Sequence, residues 1–303
     1  MTILPSKAHD DHAPDAPVMD PSRYRDRIAA LPGASVLEQK TAALVGLGSV
    51  GSDLGAKLVR LGVRVIGCDP DILAVENLVR WGLQASIEND AGKRKAIVWQ
   101  STLQRTVPNA RVEGHAIDVV RQGAAFNRLL AEARPDLLIA ATDTRDSRRT
   151  VNAMAAHYDI PALFVALSDG ASSVRIEVVE NARRGPCHLC SMYAEGMLFG
   201  ENAKRSRMPY ASDTLPEPVA VPALPVDIAL GTAIATRIAL LLLAGADWRA
   251  FMKNGEQQGN VLFLSMRPDH WIFEGAYDRL VYEVGRFVEC PCCGSREREG
   301  AHE

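Results

Sequence analysis

The chain has 303 residues, of which 47% are hydrophobic and 23% are charged, enough to bury one large hydrophobic core or two modest ones. Its formal net charge is −3 and no long basic stripe runs along the sequence, so we expect no binding to the phosphate backbone of nucleic acid.

Residues 1–21 form the first segment, which is rich in Pro, Asp and His. This composition predicts a disordered lead-in. The segment lacks the succession of basic, apolar and small residues that marks a secretory signal. We therefore expect a cytoplasmic protein.

Residues 22–180 are predicted to form an α/β domain. From residue 40 onward, apolar runs such as TAALVG, VRVIGCD and DLLIAAT alternate with helical segments such as VGSDLGAKLVRL. This alternation is typical of parallel strands joined by crossover helices. It predicts a Rossmann-like, mostly parallel sheet with flanking helices.

Residues 181–303 change this rhythm and predict a smaller lobe that continues from the sheet. A proline-rich, irregular loop covers residues 197–225, and an apolar helix and two antiparallel strands, NVLFLSM and LVYEVGRFV, follow it. The apolar run at residues 229–246 is marginal in length for a membrane span and contains Arg237. We therefore predict a buried core helix and no membrane contact.

A glycine-rich turn lies in the α/β domain. Gly46, Gly48 and Gly51 form G-x-G-x-x-G directly after the first strand and at the start of a helix, where backbone N–H groups can approach a phosphate. Asp69 ends the next strand and can accept hydrogen bonds from ribose hydroxyls. These features fit NAD as well as ATP, and close packing of strand on helix without a ligand is a further alternative.

The polar residues after Asp69 favour ATP over NAD. Asp71, Asn77, Arg80 and Lys95 precede the third strand, and the two cations can offset negative charge on a leaving pyrophosphate. Hydride transfer needs no such group of charges. Each of these residues taken singly also fits a solvated surface position.

Asp143 follows the fourth apolar strand, and open α/β sheets bind their ligands at the carboxyl ends of strands. One protein carboxylate together with phosphate oxygens is the usual arrangement for Mg²⁺ at a nucleotide. The alternative is that Asp143 caps the N-terminus of a helix.

Two C-x-x-C pairs, Cys187 with Cys190 and Cys290 with Cys293, provide four thiolates for a closed tetrahedral Zn²⁺ site. Such a site contributes to folding without performing chemistry. Redox exchange between the pairs is the alternative. Cys292 can replace Cys290 or Cys293 in the site, or remain a free thiol beside the metal.

Taken together, GLGSVG, DPD with NLVR, GKRK, ATD and the two C-x-x-C pairs resemble the ubiquitin-activating superfamily, in particular the bacterial MoeB, ThiF and HesA proteins. LFGEN at residues 198–202 is similar to a segment of molybdopterin-synthase adenylyltransferases. The resemblance implies a homodimer that uses ATP and Mg²⁺ to adenylate the C-terminal glycine of a ubiquitin-like or sulfur-carrier protein. It implies ATP binding by Gly48, Asp69, Asn77, Arg80, Lys95 and Asp143, and zinc binding by Cys187, Cys190, Cys290 and Cys293. Arg80, Lys95 and Asp143 are the expected catalytic residues.

The chain departs from this family near its N-terminus. Members carry R-Y-x-R-Q, and the second arginine reaches the ATP phosphates of the neighbouring subunit. This chain reads R-Y-R-D-R-I, with Asp26 at that position and Arg25 or Arg27 as candidates to replace the arginine. A non-catalytic scaffold subunit of the same fold is therefore one alternative function, and an NAD-dependent oxidoreductase is another.

The second departure concerns cysteine. Thioester-forming relatives keep a nucleophilic cysteine in the loop that corresponds to residues 197–225, and this loop contains none. We therefore predict an acyl-adenylate without a loop thioester. Cys68, at a strand end, is predicted to be a buried hydrophobic residue.

Overall fold

The computed structural model describes residues 20–31, 33–199 and 223–294. Nearly all of the predicted N-terminal lead-in, most of the loop at residues 197–225 and most of LFGEN lie outside the described residues. The predictions made for those segments stay predictions.

The described residues contain ten strands: β1 (Thr41–Val45), β2 (Arg64–Cys68), β3 (Val112–His115), β4 (Leu137–Ala140), β5 (Ala162–Leu167), β6 (Ser173–Val179), β7 (Lys253–Asn254), β8 (Gln257–Gln258), β9 (Val261–Ser265) and β10 (Arg279–Tyr282). Eight of them form one sheet in the order β10-β9-β6-β5-β4-β1-β2-β3. Strands β1 to β5 pair in parallel, whereas β6, β9 and β10 pair antiparallel and extend the same sheet. The predicted Rossmann-like sheet with antiparallel strands after it is confirmed. Strands from both sides of the predicted boundary at residue 180 lie in this one sheet.

The helices in the described part of the chain are α1 (Asp26–Ala29), α2 (Ala34–Leu37), α3 (Ser49–Arg60), α4 (Lys95–Thr106), α5 (Gly123–Ala133), α6 (Arg145–Tyr158), α7 (His188–Phe199) and α8 (Pro225–Ala244). A helix after Asp143 is offered by the sequence as the alternative in which that residue caps it, and α6 begins there. The sequence pattern does not predict α7, which begins inside the first cysteine pair.

Helices cover both faces of the sheet, because successive side chains of the buried strands point to opposite sides. On β1, Ala42 and Leu44 belong to the core beneath α3, α4 and α8. Ala43 and Val45 belong to the core beneath α5, α6 and α7. The apolar runs of the parallel strands are thus explained by burial on both faces.

Helix α8 is 20 residues long and apolar enough in length and composition to cross a membrane. In this fold it packs on the sheet, with Ala235, Ile238, Ala239 and Leu243 in the hydrophobic core. The structure therefore places it as a core helix, as the sequence predicts.

Candidate functional site

A cleft of about 620 Å³ opens at the carboxyl ends of the parallel strands. Its lining includes Gly46 after β1, Asp69 after β2, Val119 after β3, Asp143 after β4 and Ser168 after β5. Strand β1 pairs with β2 on one side and with β4 on the other, and open α/β sheets bind their ligands at such a switch point. The volume falls within the range of about 300–1,000 Å³ that small-molecule sites occupy.

The three glycines of the turn have different functions in this cleft. Gly46 has a φ of +92°, and a Cβ there would lie 2.5 Å from the carbonyl oxygen of Ala141. A Cβ on Gly51 would lie 1.8 Å from the carbonyl oxygen of Gly46. Gly48 lines the cleft, and no heavy atom lies within 4 Å of the position of its Cβ. Gly46 and Gly51 therefore close the turn, and Gly48 leaves the backbone open to a ligand at the start of α3.

Asp69 holds this turn against the end of β2. Its Oδ2 accepts a hydrogen bond of 2.6 Å from the backbone N–H of Leu47, and its Oδ1 accepts one of 2.8 Å from that of Asp71. Burial raises the pKa of the Asp69 carboxyl, and the positive charge of Lys95 opposes this shift. Asp69 thus shapes the cleft wall, and its predicted contact with a ribose stays a prediction.

Lys95 is the first residue of α4 and lines the cleft. A cation at a helix N-terminus is disfavoured by the helix dipole, so its position is better explained by an anion that it meets there. Its Nζ lies 2.9 Å from Oδ2 of Asp71. Helices α3 and α6 also begin at the cleft, where Ser49 and Thr144 are part of the lining. The N-termini of three helices therefore face the same space, which favours an anionic ligand.

Asn77 and Arg80 lie on a 3₁₀ helix at residues 75–80 and both line the cleft. Asn77 fixes this helix, because its Oδ1 accepts a hydrogen bond of 3.2 Å from the backbone N–H of Ala74. Trp81, which follows, donates its indole N–H to the carbonyl oxygen of Leu47 at 2.8 Å. This side chain therefore joins the segment that carries Arg80 to the glycine turn.

Asp143 is exposed and lies in the turn between β4 and α6. It does not cap α6: that position belongs to Thr144, whose hydroxyl accepts a hydrogen bond from the backbone N–H of Ser147. Arg148, which is buried, donates from Nε and Nη2 to the carbonyl oxygen of Thr142 at 3.0 and 2.6 Å. Arg148 thus fixes the turn that presents Asp143, a function that was not predicted from the sequence.

A cluster of four buried cysteines lies on the face of the sheet that α5, α6 and α7 cover. The structure brings together Cys187, Cys190, Cys290 and Cys293, whose Sγ atoms all lie within 4.8 Å of one another. Neighbouring Sγ atoms are 3.4, 3.6 and 4.0 Å apart. Tetrahedral zinc with a Zn–S distance of about 2.3 Å places sulfur atoms about 3.8 Å apart. The cluster thus has the donor set and the spacing for a zinc ion.

Cys292 lies outside this cluster and is half-buried. Its Sγ accepts a hydrogen bond of 3.2 Å from the side-chain amide of Asn152 on α6. The same amide accepts a hydrogen bond of 2.8 Å from the backbone N–H of His188. The His188 ring stacks on Phe164 with centroids 4.1 Å apart, so this histidine packs in the core and is not part of the cysteine cluster.

A buried charged network joins β6, α7 and β10. Arg175 donates to Glu177 at 2.8 Å and to Glu195 at 2.5 and 2.8 Å, and the hydroxyl of Tyr282 donates to Glu195 at 2.8 Å. Burial opposes ionisation of Glu177, but the adjacent charges of His188 and Arg175 outweigh it and hold the pKa of the carboxyl at about 2. This network was not predicted from the sequence, although the charged residues inside the apolar run SVRIEVV are a visible signal.

The N-terminal arginines lie away from the cleft of their own chain. Nε of Arg25 is 3.2 Å from Oε1 of Glu38. Arg25 lies beside the turn that follows α3, whereas the cleft lies at the other end of that helix. Asp26 pairs with Arg23 at 3.1 Å, and Arg27 is exposed. Neither Arg25 nor Asp26 contributes to the cleft within one chain.

Cys68 is 1% exposed at the end of β2. Burial, assisted by the nearby charge of Asp69, raises the pKa of its thiol to about 12. The thiol is therefore protonated at neutral pH, in agreement with the predicted buried hydrophobic residue.

The sequence matches one family model, that of the ThiF family, over residues 24–242. Among curated proteins, the chain is 32% identical over 162 residues to a sulfur carrier protein adenylyltransferase of Thermus thermophilus, a match that covers 52% of this chain and 57% of that protein. It is 26% identical over 189 residues to ubiquitin-like modifier-activating enzyme 5 of Caenorhabditis elegans, covering 58% and 44%. The matched region thus spans about half the length of these relatives.

Solved structures with a similar fold include E. coli MccB with ATP, at a TM-score of 0.59 and 15% identity, which covers 86% of this chain and 69% of that one. The structure of PaaA gives a TM-score of 0.61 at 15% identity and covers 93% and 78%. At these identities the likeness concerns the fold alone.

Proposed function

The chain belongs to the ThiF family, and from this premise we propose that it is an adenylyltransferase that uses ATP to activate the C-terminal carboxylate of a small protein. The observation that carries this proposal is the convergence of Gly48, Arg80, Lys95, Asp143 and three helix N-termini on one cleft. Cationic side chains and backbone N–H groups at one point suit a polyphosphate. An oxidoreductase would leave most of these groups without a function.

In the proposed reaction, a carboxylate oxygen of the partner attacks the α-phosphorus of ATP. A new O–P bond forms, the bond between the α-phosphorus and the bridging oxygen breaks, and its electron pair leaves with pyrophosphate. No proton has to move. Lys95 and Arg80 would offset the charge that grows on the leaving group, and the glycine turn would hold the phosphates in place.

We assign Mg²⁺ to Asp143 and zinc to the cysteine cluster. Mg²⁺, when bound, supplies positive charge to phosphate oxygens, and the exposed carboxylate of Asp143 at the cleft suits that ion. The zinc ion would hold the start of α7 to the C-terminal turn at Cys290 and Cys293, without a step in catalysis.

We propose a ubiquitin-like or sulfur-carrier protein with a C-terminal glycine as the substrate. The relatives named for sulfur-carrier and ubiquitin-like proteins support this class. Because residues 197–225 contain no cysteine, we propose that the chemistry ends at the acyl-adenylate or passes it to an outside nucleophile.

We further propose that the protein is a homodimer. An apolar surface is formed by Val75 and Val79 on the 3₁₀ helix and by Val226 and Leu230 on α8, which contacts it. These side chains are 36–74% exposed, and apolar patches of this kind mark interaction surfaces. Arg27 is the exposed candidate for the arginine that reaches a neighbouring cleft. Val79→Glu should convert a dimer to a monomer in light scattering, whereas Phe251→Glu, at an exposed apolar residue that follows α8 in a separate 3₁₀ helix, should not.

The adenylation proposal is tested by ATP:pyrophosphate exchange with a cognate carrier protein. We expect exchange with the unaltered chain and its loss in Lys95→Ala and in Asp143→Ala. A neighbouring gene for a small protein ending in Gly-Gly would identify the carrier to use. The scaffold alternative predicts no exchange with any carrier, although the chain would still fold and form the cysteine cluster.

A further inference from the structure

Lys95 and Asp71 form an ion pair in the wall of the nucleotide cleft, which both residues line. Nζ of Lys95 lies 2.9 Å from Oδ2 of Asp71. The lysine side chain is 12% exposed, whereas the aspartate side chain is 63% exposed. Because removal of a charge from water is costly unless the charge is paired, the carboxylate of Asp71 stabilises the ammonium of Lys95 in this position.

The backbone around these two residues is paired as well. The carbonyl oxygen of Asp71 accepts a hydrogen bond of 2.9 Å from the backbone N–H of Lys95. Beside it, the N–H of Leu73 donates to the carbonyl oxygen of Lys93 at 2.8 Å, and the N–H of Gly92 donates to that of Leu73 at 2.9 Å. The segment after β2 therefore forms a short ribbon with the start of α4. Asp71 binds Lys95 through both its backbone nitrogen and its side-chain nitrogen.

Asp69 ties this ribbon to the glycine turn. Its two carboxylate oxygens accept hydrogen bonds from the backbone N–H groups of Leu47 and Asp71, at 2.6 and 2.8 Å. Both oxygens are thus engaged by the backbone. The carboxylate that contacts the ammonium of Lys95 is that of Asp71, and Asp69 fixes Asp71 relative to the turn.

The ion pair also explains how a lysine can be the first residue of α4. The helix dipole disfavours a cation at this end and favours an anion, and the carboxylate of Asp71 supplies negative charge there. A lysine ammonium has three N–H donors. Lys95 can therefore keep its bond to Asp71 and donate to a phosphate oxygen as well.

We propose that Asp71 is a positioning residue, which holds the ammonium of Lys95 at the phosphates of ATP and does not bind the nucleotide itself. The inference rests on the proposed binding of ATP in the cleft. Direct contact of Asp71 with the phosphates is disfavoured, because both groups are negatively charged. Two other functions predict different results: Asp71 contacts the nucleotide without Lys95, or it competes with the phosphates for Lys95.

The test is a calorimetric titration of ATP with Mg²⁺ into the unaltered chain, Asp71→Asn, Lys95→Ala and the double variant. Asp71→Asn should bind ATP about fivefold more weakly, and its Tm should change little because the side chain is mostly exposed. In the Lys95→Ala background the same substitution should have no further effect. Asp71→Glu keeps the negative charge and should bind ATP within about twofold of the unaltered chain.

Asp136→Asn is the matched control. Asp136 pairs with Lys40 at 3.0 Å, and these residues precede β4 and β1, at the end of the sheet opposite the cleft. Its ATP affinity should equal that of the unaltered chain. Equal or tighter binding by Asp71→Asn would overturn the inference, as would an Asp71→Glu variant that binds no better than Asp71→Asn. A full further loss in the Lys95→Ala background would also overturn it, because Asp71 would then act without Lys95.

Amine labelling separates this inference from the proposed function. An N-hydroxysuccinimide ester, applied without ATP and read by mass spectrometry, should modify Lys95 at least about threefold faster in Asp71→Asn than in the unaltered chain. Asp136→Asn should leave the labelling rate of Lys95 unchanged. Equal labelling of Lys95 in Asp71→Asn and the unaltered chain would overturn the inference whether or not ATP binds. Faster labelling in a chain that binds no ATP would support the hold of Asp71 on Lys95 and contradict the proposed function.

Discussion

The cleft and the cysteine-cluster side of the molecule hold their polar groups in different ways. In the cleft, charged side chains lie at strand ends and helix starts: the side chain of Asp71 is 63% exposed and Asp143 is exposed, whereas that of Lys95 is 12% exposed and Asp69 is buried. Beneath α7, Arg175 and Glu177 are at most 3% exposed, and each is hydrogen-bonded to a charged partner. The first arrangement leaves donors and acceptors for a ligand, and the second uses them within the protein.

This difference separates binding from stability. A solvated charge can be removed at little cost to folding, because exposed ion pairs contribute only about 0–1 kcal/mol. Removal of one partner of a buried ion pair is costly to folding, because it leaves an uncompensated charge in the core. Variants of the buried charged network should therefore destabilise the protein, and variants of the exposed charges in the cleft should change ligand binding.

The largest loss of stability is expected for Cys190→Ser. The variant removes one of four metal ligands, and structural zinc contributes its binding free energy to folding. We expect about one zinc per chain in the unaltered protein by elemental analysis, and loss of zinc with a large decrease in Tm in the variant. Cys292→Ser is the control and should retain the metal, since its Sγ lies outside the cluster. Zinc loss in that control would show that Cys292 is one of the zinc ligands.

Glu177→Gln should have the next largest effect. It leaves Arg175 and His188 facing a neutral amide in the core, and removal of one partner of a buried ion pair costs about 3–5 kcal/mol. Urea unfolding measures this loss. Glu113→Gln, which breaks the surface pair with Arg64, should cost less than about 1 kcal/mol. Similar losses in the two variants would contradict the proposed difference between the regions.

A smaller effect is expected for Trp81→Phe, which keeps an aromatic ring but removes the five-membered ring of the indole and its hydrogen bond to the carbonyl oxygen of Leu47. Leaving a buried acceptor unpaired costs about 1–3 kcal/mol. Denaturant unfolding should report this decrease, and ATP affinity should decrease as well, because the 3₁₀ helix that carries Arg80 is less firmly held. An unchanged affinity would show that this contact does not position Arg80.

The smallest effect concerns Cys68. Because burial raises the pKa of its thiol to about 12, almost no thiolate forms at pH 8, and the thiol is also inaccessible. Its contribution to stability is full below the pKa of about 9 in the unfolded chain and declines as the pH rises toward 12. Iodoacetamide should label Cys292 before Cys68 in the native protein, as read by mass spectrometry. Equal labelling rates of Cys292 and Cys68 would mean that the end of β2 opens and exposes the Cys68 thiol.

The sequence predicted the cleft better than its surroundings. The apolar strands and the glycine turn follow local rules of periodicity and backbone freedom. Gly46, Asp69 and Asp143 closely follow strands, so their meeting at one edge of the sheet could be expected. The grouping of Cys290 and Cys293 with the first pair, and the exclusion of Cys292, depended on a turn whose register the sequence does not reveal. The functions of Arg148 and the Arg175 network depend on contacts between side chains that no short sequence pattern records.

The central claim is that the cleft binds ATP through groups that the fold does not need for stability. Calorimetric titration of ATP with Mg²⁺ into the unaltered chain and into Lys95→Ala, combined with a thermal melt of each, tests it most directly. We predict that the variant binds ATP at least about tenfold more weakly and that its Tm changes little. Equal affinity in the two proteins, or unfolding of the variant, would contradict the claim.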